Sequence, residues 1–267
     1  MKNRTKVIMT GINGKMGKAI LSGIIKEPDI EVIGGIDINY QENNAPTIEG
    51  IGKLSIPISN NLLHMVTEKK PDIMIDFTTP QAVMGNIRIA VENNVACIVG
   101  TTGLTDYDIK EITLLTERFK TPVLIAPNFA IGAVLMMRFA KEASRYFPHV
   151  EVIEKHHDQK IDAPSGTAIK TLELMAMERT STRQGAINEV EKIPSSRGGD
   201  FQGMRVHSVR LPGFVAHQEV IFGNQGQILT IRHDSISRES FIPGVLLAIR
   251  NIKQLEGVVY GLENIMW

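Results

Sequence analysis

The densest group of chemically able side chains is "EKHHDQKIDAPSGT", residues 154–167, which brings His156, His157, Lys160, Ser165 and Thr167 into fourteen positions. Histidine titrates near neutrality and exchanges a proton readily, while a lysine nearby donates a proton or stabilises developing negative charge. Pro164 and Ser165 stand where "SGTAIKTLELMAMERT" turns helical, so the N–H groups and hydroxyls of Ser165, Gly166 and Thr167 are suited to cradle a carboxylate. Capping is the commoner role for such residues, but it does not explain the two histidines and the lysine ahead of them. Metal is disfavoured, because adjacent histidines at a strand end point in different directions and no H-x-x-x-H, H-E-x-x-H or cysteine partner accompanies them. A Ser–His–Asp hydrolase lacks its G-x-S-x-G elbow. The group fits an anionic substrate that must receive a proton.

A second candidate site lies at the N-terminus. "VIMTGINGKMGKAI" sets Gly11, Gly14 and Gly17 between a strand and a helix, with G-x-x-G-x-x-G spacing. Glycines allow a tight turn and close backbone approach, and the helix start offers N–H groups to a pyrophosphate. Residues 11–16 (Gly11, Ile12, Asn13, Gly14, Lys15 and Met16) are the expected contacts. Asp37 ends the next strand run, "EVIGGID", 20 residues after Gly17, where an acidic side chain hydrogen-bonds a ribose 2′-hydroxyl. Its charge favours NADH over NADPH; Lys15 and Lys18 could soften that preference, and no arginine follows in "INYQ". The glycine triad and Asp37 together favour a dinucleotide over a mononucleotide, and a P-loop is excluded because no G-x-x-x-x-G-K-[ST] is present. Two further loops follow strand-like runs: Gly100, Thr101 and Thr102 in "VGTTG", and Ala126, Pro127, Asn128 and Phe129 in "APNF". Ligands of open α/β sheets gather at the carboxyl ends of strands, so these loops are expected near the nicotinamide and its ribose. Hydride from a nicotinamide and a proton from a side chain together make a reductase.

The elements around these residues follow a consistent pattern. "KVIMTG", "EVIGGID", "PDIMIDF", "VACIVG" and "TPVLIAP" are short apolar runs separated by amphipathic stretches, as expected of a parallel sheet covered on both faces. This predicts a doubly wound α/β fold. After Asn128 the pattern changes: a helix over "IGAVLMMRFAKEASRYF", a strand over "VEVIEKHH", the helix after Ser165, and mostly loop over 185–203. Three β-like segments follow, "MRVHSVRLPG", "VAHQEVIFG" and "QILTIRHDS", the last two joined as a hairpin by "GNQGQ". The closing "ESFIPGVLLAIRNIKQL" reads as a helix bent or begun near Pro243, expected to return to the first domain to bury its apolar face. The domains predicted are thus 1–128 with 239–267, and 129–238.

The 267 residues include 43% hydrophobic and 22% charged, with 29 basic and 29 acidic side chains, an ordinary soluble composition. A balanced charge argues against nucleic acid as partner. The single cysteine, Cys97, lies in an apolar run and reads as a buried thiol in a reducing compartment. No run approaches a membrane span and the basic N-terminus lacks a signal-peptide core, so a cytoplasmic protein is expected.

Taken together, "GINGKMG", "DFTTP", "GTTG", "APNFAIG" and above all "E-x-HH-x-x-K-x-DAPSGTA" resemble the 4-hydroxy-tetrahydrodipicolinate (dihydrodipicolinate) reductase family over nearly the whole chain. The resemblance implies an N-terminal Rossmann-type domain completed by the C-terminal segment. It also implies an inserted α+β domain of mainly antiparallel sheet, for substrate and oligomerisation, and a homotetramer. The implied activity is reduction of a cyclic imine dicarboxylate to tetrahydrodipicolinate by NADH or NADPH, in lysine and diaminopimelate synthesis. It casts His156 and Lys160 as the proton-transfer pair and His157, Gly166 and Thr167 as carboxylate contacts, with no metal. Which of His156 and Lys160 delivers the proton stays open. Gln159 and Asp37 depart from some members without touching the chemistry, and Asn39 replaces a basic residue beside the ribose site. A related imine or amino-acid dehydrogenase, or a non-catalytic NADH-binding sensor, are the competing readings.

Overall fold

The computed structural model describes residues 4–40, 47–48, 52–53, 56–180 and 182–267. The chain divides into two units, 1–129 with 238–267, and 130–237.

In the first unit, β1 (Thr5–Thr10), α1 (Lys15–Ile24) and β2 (Ile30–Ile36) are followed by a two-residue ladder of β3 (Thr47–Ile48) and β4 (Gly52–Lys53). Then come β5 (Ile58–Ser59), α2 (Leu62–Lys69), β6 (Ile73–Asp76), α3 (Pro80–Glu92), β7 (Ala96–Val99), α4 (Asp106–Phe119) and β8 (Val123–Ile125). After the second unit the chain adds a 3-10 turn (Arg238–Phe241), α7 (Ile242–Asn251) and β14 (Val258–Tyr260). The main sheet runs β14-β8-β7-β6-β1-β2-β5, and every pairing in it is parallel. This is the Rossmann order with one strand added beyond β8. The uniform burial of strands β6, β7 and β8 explains their apolar sequences, broken only by Asp76 at the end of β6, since helices cover both faces. Helix starts obey local chemistry: Pro80 occupies the first turn of α3, and Thr105 with Asp108 forms a capping box on α4. Gly23 lets α7 approach α1, because a Cβ there would lie 2.4 Å from the Ile242 side chain.

The second unit contains α5 (Ile131–Ala143), β9 (His149–His156), α6 (Gly166–Ala176), β10 (Gly199–Phe201), β11 (Met204–Arg210), β12 (Ala216–Asn224) and β13 (Gln227–Ser235). Its sheet order is β10-β11-β9-β12-β13. Three of the pairings are antiparallel, including the anticipated β12–β13 hairpin, but β9 and β11 run parallel. One face of this sheet carries Val150, Val152, Val206, Val220 and Phe222 against Ala140 of α5 and Leu172 and Met175 of α6.

The structure adds elements beyond those read from sequence. Strands β5 and β14 and helix α2 are new, and β10 falls within a stretch read as mostly loop. The C-terminal helix starts at Ile242 with Pro243 in its first turn, where a missing N–H costs nothing. Among the described residues no helix is long and apolar enough to cross a membrane.

Candidate active site

In the first unit the parallel strands carry the predicted cofactor loops to one edge of the sheet. β1 leads into residues 11–16, β7 into Gly100–Thr102 and β8 into Ala126–Phe129, while Asp37 follows β2. Gly11 holds φ +74°, and a Cβ there would lie 2.3 Å from the Phe77 carbonyl oxygen. At Gly17 a Cβ would lie 2.2 Å from the Gly11 carbonyl oxygen, so the turn closes only with glycine at both places. The turn delivers the first-turn N–H groups of α1, which have no acceptor within the helix, to the sheet edge. Asp37 accepts the Asn13 N–H at 3.1 Å and the Asn39 N–H at 3.0 Å, which ties the glycine turn to the end of β2. Ile12 is fully buried against Gly35, and its N–H is bonded to the Ile36 carbonyl, so its side chain serves the turn from below. Phe129 is also buried, its ring 5.8 Å from that of Phe77.

Asp76, at the end of β6, was missed as a candidate and is fully buried. Its carboxylate accepts hydrogen bonds from the hydroxyls of Thr10 (2.7 Å), Thr78 (2.7 Å) and Thr101 (2.5 Å), from the Thr78 N–H (3.1 Å) and from the Asn86 amide (2.8 Å). Three strand ends are thereby fastened to one anion, Thr101 of the predicted "GTTG" loop among them. A carboxylate in an otherwise apolar strand is the signal that points to it, since burying a charge demands such a shell.

In the second unit His156 is the last residue of β9, and the loop to α6 holds His157, Lys160 and Ser165. The Lys160 N–H donates to the His157 carbonyl at 3.2 Å, closing a turn between them. His157 is exposed. Lys160 pairs with Asp162 at 2.6 Å, and that contact holds the Asp162 carboxyl below its usual range. Ser165 is buried and caps α6, its hydroxyl accepting the Ala168 N–H at 3.3 Å. Gly166 is exposed, and a Cβ built on it meets nothing within 4 Å, so the helix start is open on that side. Both sequence readings of this turn, cap and anion cradle, are compatible with the same atoms.

Behind these residues lies an ion pair that the sequence reading passed over. Glu154 is completely buried, two positions before His156 on the same face of β9. One carboxylate oxygen lies 2.5 Å from His156 Nδ1 and 2.9 Å from an Arg210 nitrogen; the other takes Arg210 at 2.7 Å and the Ser165 N–H at 3.2 Å. Burial pushes the Glu154 carboxyl up, but hydrogen bonds from His156, Arg210 and Ser208 outweigh it and hold the group at about 2. The Glu154 carboxylate likewise holds the Arg210 guanidinium above its ordinary value. The alternation Val150, Val152, Glu154 was the available signal, because period two puts an acid on the core face, where it needs a cation. Among the described residues no group of three or more metal-ligating side chains comes together.

Comparison with known proteins gives this arrangement its relatives. Residues 5–129 match the model for dihydrodipicolinate reductase, N-terminus, and residues 132–266 that for its C-terminus. A 4-hydroxy-tetrahydrodipicolinate reductase of Listeria welshimeri is 51% identical over 261 residues, covering 98% of this chain and 99% of its own. One from Desulfitobacterium hafniense is 50% identical over 264 residues, with the same coverage. A solved dipicolinate-bound dihydrodipicolinate reductase from Paenisporosarcina sp. TG-14 superposes with a TM-score of 0.88 at 42% identity, over 98% of this chain and 100% of that one. An amine dehydrogenase from Mycobacterium smegmatis, at 11% identity and a TM-score of 0.67 over 97% of this chain and 95% of that one, shares the fold alone. With both halves of the chain matched and half of its residues shared with full-length relatives, the chain belongs to the dihydrodipicolinate reductase family.

Proposed function

We propose that this chain reduces 4-hydroxy-tetrahydrodipicolinate, a cyclic imine dicarboxylate whose 4-hydroxyl leaves as water to give dihydrodipicolinate, to tetrahydrodipicolinate in lysine and diaminopimelate synthesis. The observation that carries the reading is His156, bound to a buried carboxylate beside an open helix start and a lysine. The cofactor is a nicotinamide dinucleotide, which when bound supplies the hydride. Residues 11–16 take its pyrophosphate on the start of α1, and Asp37 takes the ribose hydroxyls. Gly100, Thr101, Thr102 and residues 126–129 line the nicotinamide end. Asp37 disfavours a 2′-phosphate, so NADH is preferred and NADPH is used less well.

In the second unit the N–H groups of Gly166 and Thr167, with the hydroxyls of Ser165 and Thr167, hold one substrate carboxylate at the positive end of α6, the Ser165 N–H being taken by Glu154. His157 orients the ring. Lys160 exchanges its partner Asp162 for the substrate's negative charge, and His156, carrying a proton on each ring nitrogen, gives the one on Nε2 to the ring carbon: an N–H bond breaks as the C–H bond forms, and the ring is left with its proton on Nδ1. The same reading takes the protein as a cytoplasmic homotetramer whose second unit carries the subunit contacts.

The test follows NADH and NADPH absorbance on adding freshly generated dihydrodipicolinate. Substrate-dependent oxidation is expected, faster with NADH. Lys160→Ala and His156→Ala should each lower kcat roughly 10²–10⁴-fold, and Lys160→Ala should also raise the substrate KM. Wild-type turnover in both variants removes the assignment, and cofactor binding without oxidation favours a non-catalytic sensor.

A further inference from the structure

We propose that Glu154 and Arg210 form a positioning pair that sets the tautomer of His156 and fixes the loop carrying Lys160 and the start of α6 in one frame. The inference rests on the reading of His156 as a proton donor. Neither residue needs to touch the substrate. What they touch is His156, the Asp162 carbonyl and the Ser165 N–H.

Glu154 takes His156 Nδ1 at 2.5 Å and the Ser165 N–H at 3.2 Å. Arg210 completes the link: beyond its two contacts with Glu154, its guanidinium donates to the carbonyl of Asp162 at 2.7 Å, the residue whose side chain pairs with Lys160. Residues 156, 162 and 165 are thus anchored to one buried ion pair. Glu154 is fully buried, and Arg210 also donates to the Val209 carbonyl at 2.9 Å, so neither end can swing freely.

The consequence for His156 is chemical as well as geometric. A carboxylate only accepts, so it requires the ring to carry its proton on Nδ1, which leaves Nε2 as the nitrogen that exchanges a proton with a ligand. Arg210 and Ser165 offer only donors to the other oxygen. In Glu154→Gln the amide oxygen must face those donors, which turns the amide NH2 toward His156 and toward the other Arg210 nitrogen, which has to draw back. Nδ1 then has to accept, and the neutral ring moves its proton to Nε2. The wrong tautomer is imposed while shape and volume stay nearly constant.

The experiment uses the full chain with histidine-selective 15N labelling and solid-state NMR, the His156 signals being identified by their loss in His156→Gln. Wild-type His156, when neutral, is expected to be protonated on Nδ1, and Glu154→Gln to move that proton to Nε2. Steady-state kinetics of Glu154→Gln should show kcat reduced roughly 10²–10⁴-fold with the nucleotide KM unchanged. A carboxylate should rescue: Glu154→Asp, which shortens the arm but keeps the acceptor, recovers part of kcat and the Nδ1 proton. Mixed tautomers in the wild type overturn the proposal without need of any variant, as does unchanged kcat in folded Glu154→Gln. If the tautomers behave as expected while the wild type fails to turn over the imine, the positioning pair stands and the substrate reading falls.

Discussion

Replacing Glu154 with glutamine removes one charge and almost no volume, so its effect on stability isolates the electrostatics of a single buried carboxylate. The carboxyl has an ordinary value of 4.5 and sits at about 2 in the folded protein. At 1.36 kcal/mol per pH unit, that gap corresponds to about 3 kcal/mol of stability at neutral pH. The folded value is depressed, so the contribution is complete above the unfolded value and is lost as pH falls through the folded one. Between pH 6 and pH 3 the wild type should lose about 2 kcal/mol from this group. Glu154→Gln has no such titration. Urea unfolding of both proteins, at one protein concentration and at intervals from pH 6 to pH 3, measures the difference directly. The variant should be less stable at pH 6, because Arg210 is left without its counter-charge, and the gap should narrow by about 2 kcal/mol at pH 3. Carboxylates remote from Arg210 and His156 titrate alike in the two proteins and drop out of the difference. A gap that stays constant across the range refutes the depressed carboxyl and the reasoning built on its hydrogen bonds.

Other consequences are open to equally direct measurement. Gly17→Ala puts a Cβ 2.2 Å from the Gly11 carbonyl oxygen and must open the turn, so the NADH dissociation constant in a fluorescence titration should rise at least about tenfold; an unchanged constant would show that the turn is not the phosphate site. Thr101→Val keeps the shape but removes a hydroxyl that donates to Asp76 and accepts the Thr78 N–H at 2.8 Å, and denaturant unfolding should register a loss of about 1–2 kcal/mol. Arg250 bonds Glu27 and Asp29 yet leaves its side chain 45% exposed, so Arg250→Ala should cost less than about 1 kcal/mol by the same assay.

The legible parts of the fold were those with a strong local signature. The runs in β7 and β8 are apolar at every position, and that in β6 at every position but Asp76, because the strands are buried on both faces, and that pattern needs no tertiary information. The turn "GNQGQ" likewise announced the β12–β13 hairpin. Strands β5 and β14, of two and three residues, are too short to display a period and exist because a neighbouring strand offers them partners. For the site, the segment 154–167 showed which residues could do chemistry but not what holds them. Glu154 could have been suspected from its core-facing register. Arg210 could not, since it lies 56 residues away and meets Glu154 only through sheet pairing.

That pairing has a consequence in the direction of the chain. In an antiparallel neighbour of β9, a residue closing the strand would lie at the far end of its eight residues, roughly 25 Å from His156. Because β9 and β11 run the same way, Arg210 ends its strand level with His156, the two being direct partners in the ladder. The same polarity demands a long crossover between them, and that crossover contains α6, which begins on the side where β9 ends. A strand whose carboxyl end meets a helix's amino end recurs, in miniature, in both units: β1 into α1, and β9 into α6. One orientation rule, applied twice along the chain, sets the start of a helix at the end of a strand in each.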